Sequence, residues 1–284
     1  MSEIAAAPGR LGVLAEEALK LPAFFRRDFL IAWSYRVAFV SDALTLVIQA
    51  LLFYIVGLMV DPAKLPAFGG SRPTYLEFVA IGIALGAFLQ LALGRVASGI
   101  REEQLQGTLE SLLMTPTALG TIQLGATFYD LVYVPIRTAL FLGVVSIGFG
   151  LEFEASGIAP AAAILLVFVP FAWGLGLLAG AATLTFRRGG TGIGLAVTAL
   201  FLGSGAFFPL ELLPHWVTSL AELNPIAVAI SGMRDALIGG QGWSAAVDNL
   251  LTLLPIAAAS LAAGIYAFRL ALQRERRRGT LGVY

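Results

Sequence analysis

Six stretches of this chain run for about 20 residues or more with almost no charge, which is the length an α-helix needs to cross the hydrocarbon core of a bilayer. They lie near Val37–Val60, Leu76–Gly94, Thr121–Gly150, Ile158–Phe186, Thr191–Phe208 and Ala245–Phe268. Polar or Pro/Gly-rich breaks separate them, among them 61–74, 101–117, 152–157 and 187–190. Backbone polar groups in lipid must be satisfied within the segment, so such runs fold as helices. The expected class is therefore an all-α membrane protein with six transmembrane helices.

Composition excludes several chemistries. Only 13% of the 284 residues are charged, and 18 Lys+Arg balance 18 Asp+Glu, leaving no basic excess to hold nucleic acid. Cysteine is absent and His215 is the single histidine, which removes thiolate metal sites and cysteine nucleophiles. The lysines are Lys20 and Lys64, and neither follows the Gly-rich pattern of a phosphate-binding loop. No catalytic residue, bound cofactor or metal site is expected, and any energy from ATP would have to come from a partner. The N-terminal stretch carries Glu3, Glu16 and Glu17 and lacks the basic start of a cleavable signal peptide, so it is expected to be retained.

Topology follows from the basic residues, which stay on the cytoplasmic side. Alternate segments hold fourteen on one side (Arg10, Lys20, Arg26, Arg27, Arg36; Arg95, Arg101; Arg187, Arg188; Arg269, Arg274, Arg276, Arg277, Arg278) and three on the other (Lys64, Arg72, Arg234). Both termini are thus expected in the cytoplasm of a multi-pass inner (plasma) membrane protein. Three parts result: a cytoplasmic N-terminus with an amphipathic helix over 1–36, a six-helix domain over 37–268, and a basic tail over 269–284.

The segments between spans carry their own signals. Leu11, Leu14, Ala18, Leu21, Phe25 and Phe29 recur at steps of three and four, and Phe25, Phe29 and Trp33 beside Arg26 and Arg27 suit a helix at the headgroup level. It is either a docking element or a plain anchor. The loop 101–117 is charged at its start and apolar at Leu109, Leu112, Leu113 and Met114, which predicts a short cytoplasmic helix that docks a partner or packs under the bundle. The outer segment 207–243 is too apolar for a free loop, and Pro209, Pro214 and Pro225 divide it into pieces too short to span, so re-entrant helices capping the bundle are expected. Asp42, Asp130 and Arg137 are the charges inside spans; Arg137 either pairs with Asp130, two turns away on the same face, or meets cargo. Gly82-xxx-Gly86, Gly176-xxx-Gly180 and Gly190-xxx-Gly194 let backbones approach, within one bundle or between subunits. Pro135, Pro170 and Pro255 fall inside spans, where kinks are expected.

Two motifs complete the reading. Glu103, Gly107-Thr108-Leu109-Glu110, Leu113 and Pro116 in the second loop, and Gly205, Pro209, Pro214, Asn224-Pro225, Arg234 and Gly239 before the last span, resemble the signatures of the ABC-2 type permease family, the membrane subunits of ABC exporters. The resemblance implies a half-transporter that forms a homodimer, or a heterodimer with a similar permease, in contact with membrane lipid. It also implies docking of two ABC ATPase subunits, which carry ATP and Mg, through the interface helix and the coupling loop. The function expected is export of a hydrophobic or amphipathic small molecule or lipid. Alternatives are export of a polysaccharide or teichoic-acid-like polymer, a membrane scaffold or sensor without cargo, and an ion-coupled carrier, the last disfavoured by the lack of a repeat between the two halves.

Overall fold

The computed structural model describes residues 19–105, 119–186, 189–212, 214–221 and 223–278. Those residues are mostly helical, and the only β pairing among them is one isolated bridge, Phe68 to Ser71. The helices are α1 (Leu21–Ser34), α2 (Arg36–Gly57), α3 (Tyr75–Leu105), α4 (Leu119–Phe149), α5 (Ile158–Thr185), α6 (Gly189–Leu202), α7 (His215–Ala221), α8 (Pro225–Leu237) and α9 (Gly242–Arg278). Four stretches are long and apolar enough to cross a membrane: Tyr75–Gly94, Phe128–Phe149, Ala155–Thr185 and Gly242–Arg274. Two shorter apolar stretches, Val47–Gly57 and Gly192–Leu202, belong to α2 and α6.

Local chemistry sets several helix ends. Pro22 stands in the first turn of α1, where its missing N–H has no helical acceptor to lose. Thr74 and Glu77 form a reciprocal cap at the start of α3: the Thr74 amide donates to Glu77 Oε2 (2.6 Å) and the Glu77 amide to Thr74 Oγ1 (3.3 Å). The other oxygen of Glu77 accepts from the Glu152 amide, tying the loop after α4 to the head of α3. Pro135, Pro170 and Pro255 lie inside α4, α5 and α9, which run on through them.

The structure departs from the sequence expectation at three ends. The fifth run, expected to be helical to Phe208, leaves the helix at Leu202 because Gly205 turns the chain with φ 72°. Helix α3 continues past its apolar run to Leu105, and α9 carries the basic tail as helix to Arg278, since no proline interrupts either extension.

The core lies where α3, α5 and α8 meet. Phe78, Ile81 and Leu85 of α3, Ile164 and Phe168 of α5, and Ile226 and Ile230 of α8 are all fully buried or nearly so. Helix α9 lies along α5 on a seam of small residues: a Cβ on Gly174 would strike the Ser260 backbone, one on Gly264 would strike the Gly174 carbonyl, and Ser260 Oγ donates to the Phe171 carbonyl. Close backbone approach of this kind replaces hydrophobic burial as the source of association in lipid. Helix α2, by contrast, presents Val37, Val40, Leu44, Ile48, Leu52 and Ile55 outward, an apolar stripe suited to lipid or a second subunit.

Candidate functional site

The segment 207–243 folds as its prolines require. Pro209 and Pro214 precede the short turn Leu210–Leu212 and helix α7, and Asn224-Pro225 starts α8. Asn224 caps that helix by accepting from the Ile226 amide (3.0 Å), while its Nδ2 donates to the Leu200 carbonyl near the end of α6 (2.6 Å). Nine positions of α8 are buried, from Ile226 to Leu237, so this helix caps the bundle from within.

Arg234 holds that cap in place. It is 5% exposed, and its guanidinium bonds three carbonyls: Nε (3.1 Å) and Nη2 (2.8 Å) to Phe78, and Nη2 to Gly205 (3.0 Å) and Ala206 (3.2 Å). The same group stands 3.5 Å from the centroid of the Phe78 ring. A planar fork of donors and a weakly hydrated cation suit such a buried site. Glycines make the approach possible, because a Cβ on Gly82 would overlap Ala206 and one on Gly86 would overlap the Phe201 ring. The Gly82-xxx-Gly86 spacing therefore serves packing between α3 and the end of α6 within this chain. Gly239 presses on Gly69 in the same way, joining the loop before α3 to the end of α8.

Beneath this cap, between α2, α3, α4 and α6, lies a cavity of about 460 Å³. Its walls include Phe201 and Phe207, and its polar groups are Thr45, Gln49, Gln90, Thr198 and Arg137. Thr45 and Thr198 spend their hydroxyl hydrogens on the carbonyls of Ser41 and Gly194, so their oxygens face the cavity as acceptors. Donors come from Arg137 and the two glutamine amides. Drug-sized ligands occupy cavities of this volume with this mix of apolar wall and few polar groups.

The predicted residues divide clearly. Gly205, Asn224, Pro225, Arg234 and Gly239, well separated along the chain, come together at the cap formed by α8. Asp130 is buried in α4, about 10 Å along the axis from Arg137, which is half-buried and lines the cavity. Asp42 lies in α2, and its side chain is outside the described residues. In α1, Phe25 packs on Phe128 and Tyr129 of α4, and Phe29 stacks between Phe25 and Trp33. Arg26 and Arg27 are exposed. The interface helix is therefore docked on the bundle along one face and open along the other. Glu103 falls in the last turns of α3, whereas Gly107, Thr108, Leu109, Glu110, Leu112 and Pro116 lie outside the described residues. His215 starts α7 on the surface, with Ser219 Oγ 3.5 Å from Nδ1 and no acid–base partner of its own among the described residues.

Sequence reasoning passes over Gln49, Gln90, Thr45 and Thr198. Polar side chains inside otherwise apolar spans are the signal that marks them. Only the meeting of four helices shows that they share one space.

Comparison with known proteins agrees with this architecture. The chain is 29% identical over 172 residues to the inner membrane transport permease YadH of Escherichia coli, covering 58% of this chain and 64% of that protein. It is 24% identical over 180 residues to the daunorubicin resistance ABC transporter permease protein DrrB1 of Streptomyces coeruleorubidus, covering 62% of each. It is 28% identical over 184 residues to the linearmycin resistance permease protein LnrN of Bacillus subtilis, covering 64% of this chain and 47% of that protein. Each match thus spans less than two thirds of the relative's own length. The family model described as ABC-2 type transporter matches residues 20–238, which include α1, the residues lining the cavity and helix α8, and the chain belongs to that family.

Proposed function

We propose that this chain is the membrane permease subunit of an ATP-driven exporter and that its cargo is a hydrophobic or amphipathic small molecule or lipid. The observation that carries the reading is the polar-lined cavity of about 460 Å³ set among membrane-embedded helices of an ABC-2 type transporter. Two relatives named for resistance to daunorubicin and to linearmycin support an amphipathic cargo. In this reading α2, α3, α4, α5, α6 and α9 are the six spans and both termini are cytoplasmic. Helix α6 reaches only about 21 Å, and the outer cap of Ala206, Phe207 and α8 fills the depth above it. The exposed stripe of α2 supports assembly with a second copy or a similar permease.

ATP and Mg belong to separate ABC ATPase subunits, docked through 101–117 and the open face of α1. Leu109→Ser with Leu112→Ser removes about 1.5–3 kcal/mol of apolar contact per side chain without touching a span. The expected result is a normally inserted protein that no longer co-purifies with its ATPase or stimulates hydrolysis. Full association and cargo-stimulated hydrolysis in the double variant would refute the coupling role of the loop and shift it to the entry helix at Phe24–Trp33.

A further inference from the structure

We propose that the flank of α1 carrying Arg26, Leu30 and Trp33, together with Arg36 at the head of α2, is a binding site for an anionic glycerophospholipid of the adjacent leaflet. The two guanidinium groups take the headgroup phosphate, and Leu30 and Trp33 enter the boundary between headgroups and acyl chains. This goes beyond the transport reading, since it concerns how the chain is held by its bilayer and not what it carries.

Helix geometry divides α1 into faces. Phe24, Phe25, Asp28 and Ala32 are half-buried and hold the helix on α4: Phe25 meets Phe128 (6.1 Å) and Tyr129 (5.8 Å), and the Phe24 ring fills the space beside Gly125. Arg26, Leu30 and Trp33 follow one another at steps of four and three, so they stack within about 60° of one another on the side turned from the bundle. All three are exposed, Leu30 to 52% and Trp33 to 62%. Large apolar side chains pointing away from their own bundle call for a covering phase, and charge says which. Residues 19–36 hold Lys20, Arg26, Arg27 and Arg36 against one acid, Asp28, whose carboxylate accepts from Arg27 Nε (2.8 Å). The surplus is positive and complements the negative surface of a leaflet that contains anionic lipid. Placement adds an independent argument. The helix is interrupted at Tyr35, and α2 starts at Arg36, whose guanidinium stands 5.8 Å from the centroid of the Trp33 ring. The apolar surface of Leu30 and Trp33 then runs on into the outward stripe Val37, Val40 and Leu44 of α2, so Trp33 and Arg36 mark the depth where the span begins. That is the level of the lipid phosphates, where indole and guanidinium both find suitable surroundings. Arg27 and Ile31 lie about a third of a turn further round α1 and leave a separate flank for the ATPase.

The test reads lipid contact at Trp33 itself. The chain has four tryptophans, and replacing Trp173, Trp216 and Trp243 by phenylalanine leaves Trp33 as the reporter. The purified full chain is reconstituted in phosphatidylcholine vesicles, and fluorescence quenching by phosphatidylglycerol brominated on the upper acyl chain is compared with quenching by phosphatidylcholine brominated in the same way. Phosphatidylglycerol should be favoured at Trp33 by at least about fivefold at low salt, since each arginine at a charged bilayer surface contributes about that factor. The preference should shrink as salt is raised. Arg26→Gln with Arg36→Gln should bring the ratio of the two lipids close to unity, and the corresponding pair of lysine substitutions should keep most of the preference. Both arginines are exposed, so these variants leave the packing of α1 on α4 intact. Arg277→Gln, which removes the same charge from the exposed end of α9, should leave the ratio unchanged. Equal quenching by the two lipids in the reporter chain overturns the proposal, as does a double glutamine variant that still prefers phosphatidylglycerol. An Arg277→Gln chain that loses as much preference as the double variant also overturns it, because the attraction would then be general to the basic side of the protein. A double variant that keeps the lipid preference but no longer co-purifies with its ATPase assigns this flank to a protein partner and refutes the lipid site.

Discussion

Replacing Arg234 by methionine keeps an unbranched apolar stem and removes the fork that joins α8 to α3 and to the turn after α6. The carbonyls of Gly205 and Ala206 are buried and lose their charged donor, and each acceptor left unmet costs about 1–3 kcal/mol. The Phe78 carbonyl loses two contacts, and the ring under the guanidinium loses an interaction of about 2 kcal/mol. Relief of the desolvation of a buried cation works in the other direction by several kcal/mol. The acceptors outweigh that relief because methionine offers them no donor, and the net loss is about 3 kcal/mol. For a chain of this size that corresponds to a fall in Tm of roughly 6–12 °C, read by tryptophan fluorescence of the purified protein on heating. Arg234→Lys should fall between, since an ammonium cannot bridge Phe78 and Gly205 in one plane. A cycle with Phe78→Leu should show a coupling of about 1–2 kcal/mol between ring and cation. If Arg234→Met melts within about 2 °C of the unmutated chain, the three-carbonyl lock does not hold the outer cap, and the argument fails.

Other substitutions probe the same architecture. Asn224→Ala removes both the cap on Ile226 and the bond to Leu200 and should cost about 1–2 kcal/mol, whereas Asn224→Asp keeps the cap and loses the second bond; thermal melting separates the two. Gly82→Ala should destabilise the fold by about 1–3 kcal/mol through overlap with Ala206, while Gly94→Ala, which meets open space, should be neutral or slightly stabilising, as melting of the pair will show. Single cysteines introduced at Lys64, Glu154 and His215 should react with an impermeant maleimide on intact cells and one at Arg277 should not; labelling at Arg277 would overturn the assigned sidedness.

Much of this protein is legible without coordinates because the bilayer simplifies the problem. A run of about 20 uncharged residues has one way to satisfy its backbone in lipid, so length and apolar content place the long helices. The outer helices follow from proline, which cannot sit inside a short helix but starts one well, and Asn224-Pro225 is a cap that needs nothing beyond its own turn. What the sequence could not supply are facts about distant partners. Arg234 reads as a basic residue on the outer side, and nothing near it announces that its acceptors lie on Phe78, 156 positions earlier, and on Gly205 and Ala206. The end of α6 at Leu202 is hidden for the same reason. Hydropathy stays high to Phe208, and what stops the helix is the turn at Gly205, whose carbonyl a side chain of another helix claims. The cavity is the extreme case. Thr45, Gln90, Arg137 and Thr198 come from four helices, and hydrophobic periodicity records only that each side chain is polar, not that they face one another. Helix formation in lipid is decided within each segment, whereas the meeting of those side chains depends on how small residues such as Gly82 and Gly86 let whole helices approach, and that is settled only when the helices pack.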